Sequence, residues 1–169
     1  MAAHRLALGV VILTLASCGQ EEQAQPEMTQ DDVAAILSTV ELKPGRWENW
    51  TEITSATGLP PSARSKMIGR KTASSDCISA EQAQRPNPAF LAAQAKSECT
   101  YHSFAIENGR LSARMTCRGG AVPGDMLTRI DGSYGSEAFD LDVTIRTTPL
   151  PGGEVEIRSR SVGRRTGAC

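Results

Sequence analysis

No run of this 169-residue chain is long and apolar enough to cross a bilayer as a helix. The longest, Leu6 to Leu15, is about ten residues where roughly 20 are needed. Histidine is nearly missing: His4 and His102 are the two in the chain, so a histidine-dependent triad or multi-histidine metal site has almost nothing to rest on. The cysteines include no C-x-x-C pair, the close spacing a zinc site normally uses. Gly119-Gly120 and Gly152-Gly153 lack the lysine and following helix of a phosphate loop and read as turns. Charge of one sign is absent too. With 18 Lys and Arg against 19 Asp and Glu, the chain carries no basic excess for nucleic acid, and no nucleic-acid partner is expected. Nothing in the residues calls for a cofactor.

What is present begins at the N-terminus. His4 and Arg5 precede the apolar run, and the small residues Ala16 and Ser17 lead into Cys18, the layout of a cleaved secretory leader. Leu15-Ala16-Ser17-Cys18 resembles the lipobox of bacterial lipoproteins, in which the cysteine sulfur receives a diacylglycerol and becomes the new N-terminus. That resemblance implies removal of residues 1–17 as a signal peptide, lipidation at Cys18 and a membrane as partner, since two or more acyl chains anchor stably. Gly19 in place of Asp favours the outer membrane over retention at the inner one. The expected location is the cell envelope, lipid-anchored and facing the periplasm. With the leader gone, His102 is the one histidine left.

Four further cysteines, Cys77, Cys99, Cys117 and Cys169, form an even set in an exported chain and read as two disulfides. Acidic residues crowd the first stretch, with Glu21, Glu22, Glu27, Asp31, Asp32 and Glu41, whereas bases outnumber acids from Leu42 onward. Residues 19 to 28 have the composition of a solvated tether. Thr29 offers an N-cap with Asp32 three residues on, followed by Val33, Ile36, Leu37 and Val40 at helical spacing. The division expected is 1–17 signal peptide, 18–41 lipidated tether with a short amphipathic helix, and 42–169 a single β-rich domain.

Lys43-Pro44-Gly45-Arg46 has turn chemistry, and Arg46 to Thr54 alternates as a strand with Trp47 and Ile53 on one face. Asn49-Trp50-Thr51 fits a glycosylation sequon, which the bacterial lipobox sets aside. Residues 55 to 65 read as loop, Lys66 to Ile78 as a weaker strand, and Ser79 with Gln82 as the capping box of a brief helix. Asn87-Pro88 opens another helix through Phe90 and Leu91. Strands follow over Cys99 to Cys117, Met126 to Tyr134, Ala138 to Thr147 and Glu154 to Val162.

Asn108-Gly109 marks a hairpin with two competing registers, a two-residue turn pairing 107 with 110 or a three-residue loop pairing 106 with 110. The second gathers Cys99, Tyr101 and Ala105 opposite Cys117, Met115 and Leu111 on one apolar side, and is the one expected. It sets Cys99 across from Cys117, and elimination joins Cys77 to Cys169. In the last pair of strands, Phe139, Leu141, Val143 and Ile145 face inward with Val155 and Ile157. Partner numbers summing to 300 then set Arg146 opposite Glu154, Asp142 opposite Arg158 and Asp140 opposite Arg160.

His102 falls on the more polar hairpin face beside Arg114 and reads as a surface histidine. Asp140 with Asp142 and Glu154 with Glu156 resemble paired carboxylates, which strand alternation against arginine explains more simply. Arg158, Arg160, Arg164 and Arg165 form a candidate anion-binding group for a phosphate or lipid head group.

Taken in order, Lys43-Pro44-Gly45-Arg46-Trp47-Glu48, Cys77-Ile78-Ser79-Ala80-Glu81-Gln82-Ala83, the Cys99 to Cys117 hairpin, Gly132-Ser133-Tyr134 and the closing Gly163-Arg164-Arg165-Thr166-Gly167-Ala168-Cys169 resemble a bacterial envelope family, domain of unknown function 3617. The resemblance covers about residues 42 to 169. It implies a small secreted or lipid-anchored protein with disulfides, and no catalytic residue. The fold expected is mainly β, an antiparallel curved sheet or partly open barrel with short helices. The function expected is a non-catalytic binding module for an amphipathic ligand or envelope component. A hydrolase built on Asp, Glu and Tyr, or a purely structural envelope protein, is the alternative.

Overall fold

The computed structural model describes residues 27–84, 98–118, 124–147 and 153–169. The expected leader, Cys18, the expected tether to residue 26, the helix expected at Asn87-Pro88, Gly119-Gly120 and Gly152 lie outside the described residues.

Among the described residues, seven strands form one open antiparallel sheet. They are β1 (Gly45–Thr57), β2 (Lys71–Ile78), β3 (Glu98–Glu107), β4 (Arg110–Arg118), β5 (Met126–Tyr134), β6 (Ala138–Thr147) and β7 (Val155–Gly167). Their order is β2-β1-β7-β6-β5-β4-β3, so a meander from β3 to β7 is closed by β1, which pairs with β7 on one side and β2 on the other. The helices among the described residues are α1 (Gln30–Ser38), α2 (Pro61–Met67) and α3 (Ala80–Gln84).

Two-residue alternation gives the sheet an apolar inner face and a polar outer face. Leu111, Ala113, Met115 and Cys117 of β4 are buried between exposed Arg110, Ser112 and Arg114. Ile130 of β5 and Leu141 of β6 continue the inner layer. Across β5, β6 and β1 runs an aromatic row. Phe139 stacks on Tyr134 at 6.1 Å and on Trp47 at 6.4 Å, and the Trp47 indole donates to the Lys43 carbonyl at 3.1 Å.

The capping box of α1 is formed: Thr29 N donates to Asp32 Oδ2 at 2.8 Å, and Asp32 N to Thr29 Oγ1 at 3.1 Å. One turn apart, Val33 and Leu37 are 0% and 1% exposed. They belong to the same core as the sheet, with α1 lying against β3. Met28 N donates to the Tyr101 carbonyl at 2.9 Å, placing a backbone partner on the outer edge of β3. The Ser79 and Gln82 capping box is formed as well.

Five local expectations change. Residues 55 to 65 are not loop throughout: β1 runs to Thr57 by absorbing a bulge between Ile53 and Ser55, and Pro60-Pro61 starts α2. Proline fits there because the first turn of a helix has no acceptor for its missing N–H. The following strand accordingly begins at Lys71, not Lys66.

The hairpin uses both registers. Asn108 and Gly109 have φ of 50° and 72°, the left-handed pair of a two-residue turn, and Glu107 pairs with Arg110. A bulge between Tyr101 and Ser103 then shifts the pairing, so Cys99 still stands opposite Cys117. The physical cause is Phe104. Near the turn the first register places it inward opposite Ala113, and the extra residue returns Tyr101 to the same face. Ala105, expected on the apolar side, lies outside opposite Ser112.

The register of β6 on β7 sums to 302, not 300, and β7 continues to Gly167, beyond Val162. Phe139 therefore faces Gly163, whose missing side chain leaves room for the ring. Arg146 pairs with Glu156 and Asp142 with Arg160, while Glu154 precedes the strand.

Both cysteine pairs are at bonding distance. Cys99–Cys117 joins β3 to β4 with Cα atoms 4.0 Å apart. Cys77–Cys169 has its Cα atoms 5.9 Å apart and ties the end of β2 to the tail beyond β7, across β1.

Candidate functional site

The polar outer face carries a depression of about 420 Å³ over β4 to β7. Each of these adjacent strands sends one arginine into its lining: Arg114, Arg129, Arg146 and Arg158. Asp131, Asp142, Thr144 and Leu127 complete it. Register sets the pattern. Arg114 lies opposite Arg129, Arg129 opposite Thr144, and Thr144 opposite Arg158, a row running straight across the sheet.

Most of these charges are committed to one another. Arg129 Nε donates to Asp131 Oδ2 at 2.6 Å within β5. Glu156 accepts from Arg146 Nε at 2.7 Å and from Arg158 Nε at 2.8 Å. These bonds, that from Arg146 foremost, hold its carboxyl below the usual glutamate value. Beside the depression, the hydrogen bond from Arg160 similarly lowers Asp140. All of these groups touch solvent, so each pair contributes little to stability. Arg114 and Asp142 differ: among the described residues neither side chain forms a hydrogen bond or short ion pair. Asp142 faces Asp131 on one side and Arg160, committed to Asp140, on the other.

The four arginines singled out in the sequence do not form one cluster. Arg158 lines the depression and Arg160 borders it. Arg164 is on the same face several residues away, opposite Glu48 and Ala138. Arg165 points to the other face and donates from Nε to the Pro44 carbonyl at 2.7 Å. Sequence reasoning missed Arg114, Arg129 and Arg146. Arg129 and Arg146 are each the one arginine of their strand and Arg114 is one of three outward arginines on β4, so their signal emerges only when the registers of all four strands are aligned.

His102 sits at the hairpin bulge, its Nε2 2.7 Å from Thr116 Oγ1, while Arg114 is paired in register with Ser103. Arg160 binds Asp140 and stands opposite Asp142 in the register, so the adjacent carboxylates share one arginine and do not act as an isolated pair. Among the described residues no group of three or more His, Cys, Asp or Glu is placed to hold a metal ion. No described helix is long and apolar enough to cross a membrane.

Elsewhere on the outer face, Trp50 of β1 is half-buried with the Lys71 ammonium 5.5 Å from its ring centre. It borders a shallow groove with Glu48 and Ala73 to Ser75.

The family model described as protein of unknown function (DUF3617) matches residues 42–169. No curated protein and no solved structure matches the chain. The match begins after α1, so Val33 and Leu37 complete the core from outside the matched segment.

Proposed function

The chain belongs to the DUF3617 family, and we propose that it is a lipid-anchored envelope protein whose sheet binds an amphipathic envelope component through its charged headgroup. The observation that carries this reading is the division of labour between the two faces. The inner face is filled by its own aromatic row and by α1, whereas the outer face presents a headgroup-sized depression lined by four arginines.

A binding role fits better than catalysis because the titratable groups of the depression are mainly paired in fixed ion pairs. The one histidine of the proposed mature chain hydrogen-bonds a threonine hydroxyl. Guanidinium groups held across neighbouring strands give directional donors for an oxyanion, and the strands beneath fix their spacing. Anchoring at Cys18 would keep the domain close to the membrane from which such a component comes, raising its effective concentration.

The test is recovery of the protein from its native envelope in uncharged detergent, followed by organic extraction and mass spectrometry. An amphipathic molecule should co-purify in stoichiometric amount with the parent and be depleted in Arg114→Ala. Repeated recovery of an empty chain would refute the binding role. Cys18→Ser should abolish incorporation of labelled palmitate and release the protein from the membrane fraction, and persistence of either property would refute the anchor.

A further inference from the structure

Two like-charged pairs stand side by side on the outer face. Arg114 and Arg129 are directly opposite across β4 and β5. Two residues further along, about 6.8 Å away, Asp131 and Asp142 are directly opposite across β5 and β6. Like charges facing one another across a ladder oppose the pairing of the strands that carry them. The shared strand relieves half of each conflict, because Arg129 and Asp131 bind one another within β5. The outer members are left over: Arg114 is a guanidinium without a hydrogen bond or ion pair among the described residues, and Asp142 is a carboxylate in the same position. Arg160 stands opposite Asp142 but gives its guanidinium to Asp140. The Arg114 guanidinium, and an Asp142 carboxylate that feels Arg160 only through the electrostatic field, thus flank one internal salt bridge within a single depression.

We propose that this depression binds a zwitterion in which a phosphate stands beside a primary ammonium, the chemistry of a phosphoethanolamine headgroup. The inference rests on the binding role proposed above and assigns the ligand class for the same site. The phosphate accepts from the Arg114 guanidinium and from the Arg129 nitrogens that Asp131 does not use, a fork geometry suited to oxyanions. The ammonium donates to Asp142 and to the remaining lone pairs of Asp131. Thr144, between Arg129 and Arg158 in the row, supplies a hydroxyl that can serve either end.

Charge balance argues against simpler ligands. A plain anion entering the depression meets Asp131 and Asp142, and a plain cation meets four arginines. A ligand carrying both signs in the order set by the two rows satisfies both leftover groups at once. The volume of about 420 Å³ suits a headgroup, and Leu127 is the one large apolar side chain in the lining, so acyl chains are not enclosed.

The experiment uses the full lipoprotein in uncharged maltoside detergent, with calorimetry against four soluble probes: glycerophosphoethanolamine, glycerophosphocholine, inorganic phosphate and ethanolamine. Glycerophosphoethanolamine should bind tighter than each of the others by about tenfold or more, the scale of one charge-assisted hydrogen bond. Arg114→Ala and Asp142→Asn should each weaken it by a similar factor while keeping the parent's circular dichroism and melting temperature. A parallel titration with phosphatidylethanolamine in the same micelles separates the sources. Tighter binding of the lipid identifies a membrane headgroup, and equal binding identifies a soluble phosphoethanolamine, both in support.

Inorganic phosphate binding as tightly as the zwitterion, or Asp142→Asn leaving the affinity unchanged, would overturn the assignment in favour of an anion site. If no soluble probe binds while an amphipathic molecule still co-purifies and is lost in Arg114→Ala, the binding role stands and the zwitterion falls. If nothing co-purifies either, both fall together.

Discussion

The ring of Phe139 occupies the space that a side chain at Gly163 would need. The two residues are register partners across β6 and β7, and a β-carbon added at position 163 would run into the Phe139 ring and the Asn49 amide. This fit joins Phe139 to Trp47 over the glycine and links the meander to β1. Gly163→Ala should destabilise the protein by about 1–3 kcal/mol through overpacking. Gly167→Ala, with no atom near the added carbon, should be nearly silent. Denaturant unfolding of both variants checks the contrast, and equal midpoints would refute it.

The helix α1 lies outside the family match yet closes the core. Leu37→Ala should cost about 2–5 kcal/mol, as for other buried leucines. Thr29→Ala, which removes the hydroxyl of the capping box, should cost about 1 kcal/mol. Equilibrium unfolding gives both values. A Leu37→Ala loss below that of Thr29→Ala would mean that the helix is an appendage.

Tyr101 and Tyr134 are the two tyrosines of the chain, so absorbance at alkaline pH reports on them alone. Burial raises both phenols above the usual value of 10.0, Tyr134 to about 12. A raised acid ionises more readily once unfolded, so the stability it contributes is intact below pH 10.0 and is lost as pH rises towards about 12. Spectrophotometric titration of the folded protein should show less than half-ionisation at pH 10.0, with Tyr134 the later of the two to titrate if the fold persists. Half-ionisation of both rings at that pH in the folded state would contradict their burial.

Glu156 behaves in the opposite sense. Arg146 and then Arg158 hold its carboxyl below the usual 4.5, so its contribution is present above that pH and is lost as pH falls through the lowered value. Glu156→Gln should therefore lower stability slightly at neutrality and flatten the acid limb of a plot of stability against pH by the same small amount, because the arginines of the network are exposed. An unchanged acid limb in the variant would show that the ion pairs do not persist in solution.

Much of the scaffold can be read directly from local chemistry. Thr29 with Asp32 and Ser79 with Gln82 cap their helices through side chains three residues apart, a relationship contained within one turn. The alternation in Arg110 to Arg118 assigns each residue of β4 to a face without reference to its neighbours. The bulge at His102 is different, because an inserted residue reverses the parity of every position beyond it. Both hairpin registers are used for that reason, and the faces of Phe104 and Ala105 depend on where the change occurs.

The sequence by itself determined which segments extend, where α1 and α3 begin, and that Cys99 stands across from Cys117, because caps and two-residue alternation act over a few neighbouring residues. It also fixed the parity of β6 against β7, since one face of each strand is apolar. Alternation cannot distinguish a sum of 300 from one of 302, as both keep the same faces inward. Packing of Phe139 against Gly163 selected the second, and with it the partners of Asp142, Arg146 and Arg158. The group of four arginines belongs wholly to tertiary structure: one residue on each of four strands becomes a site only once every register between them is set.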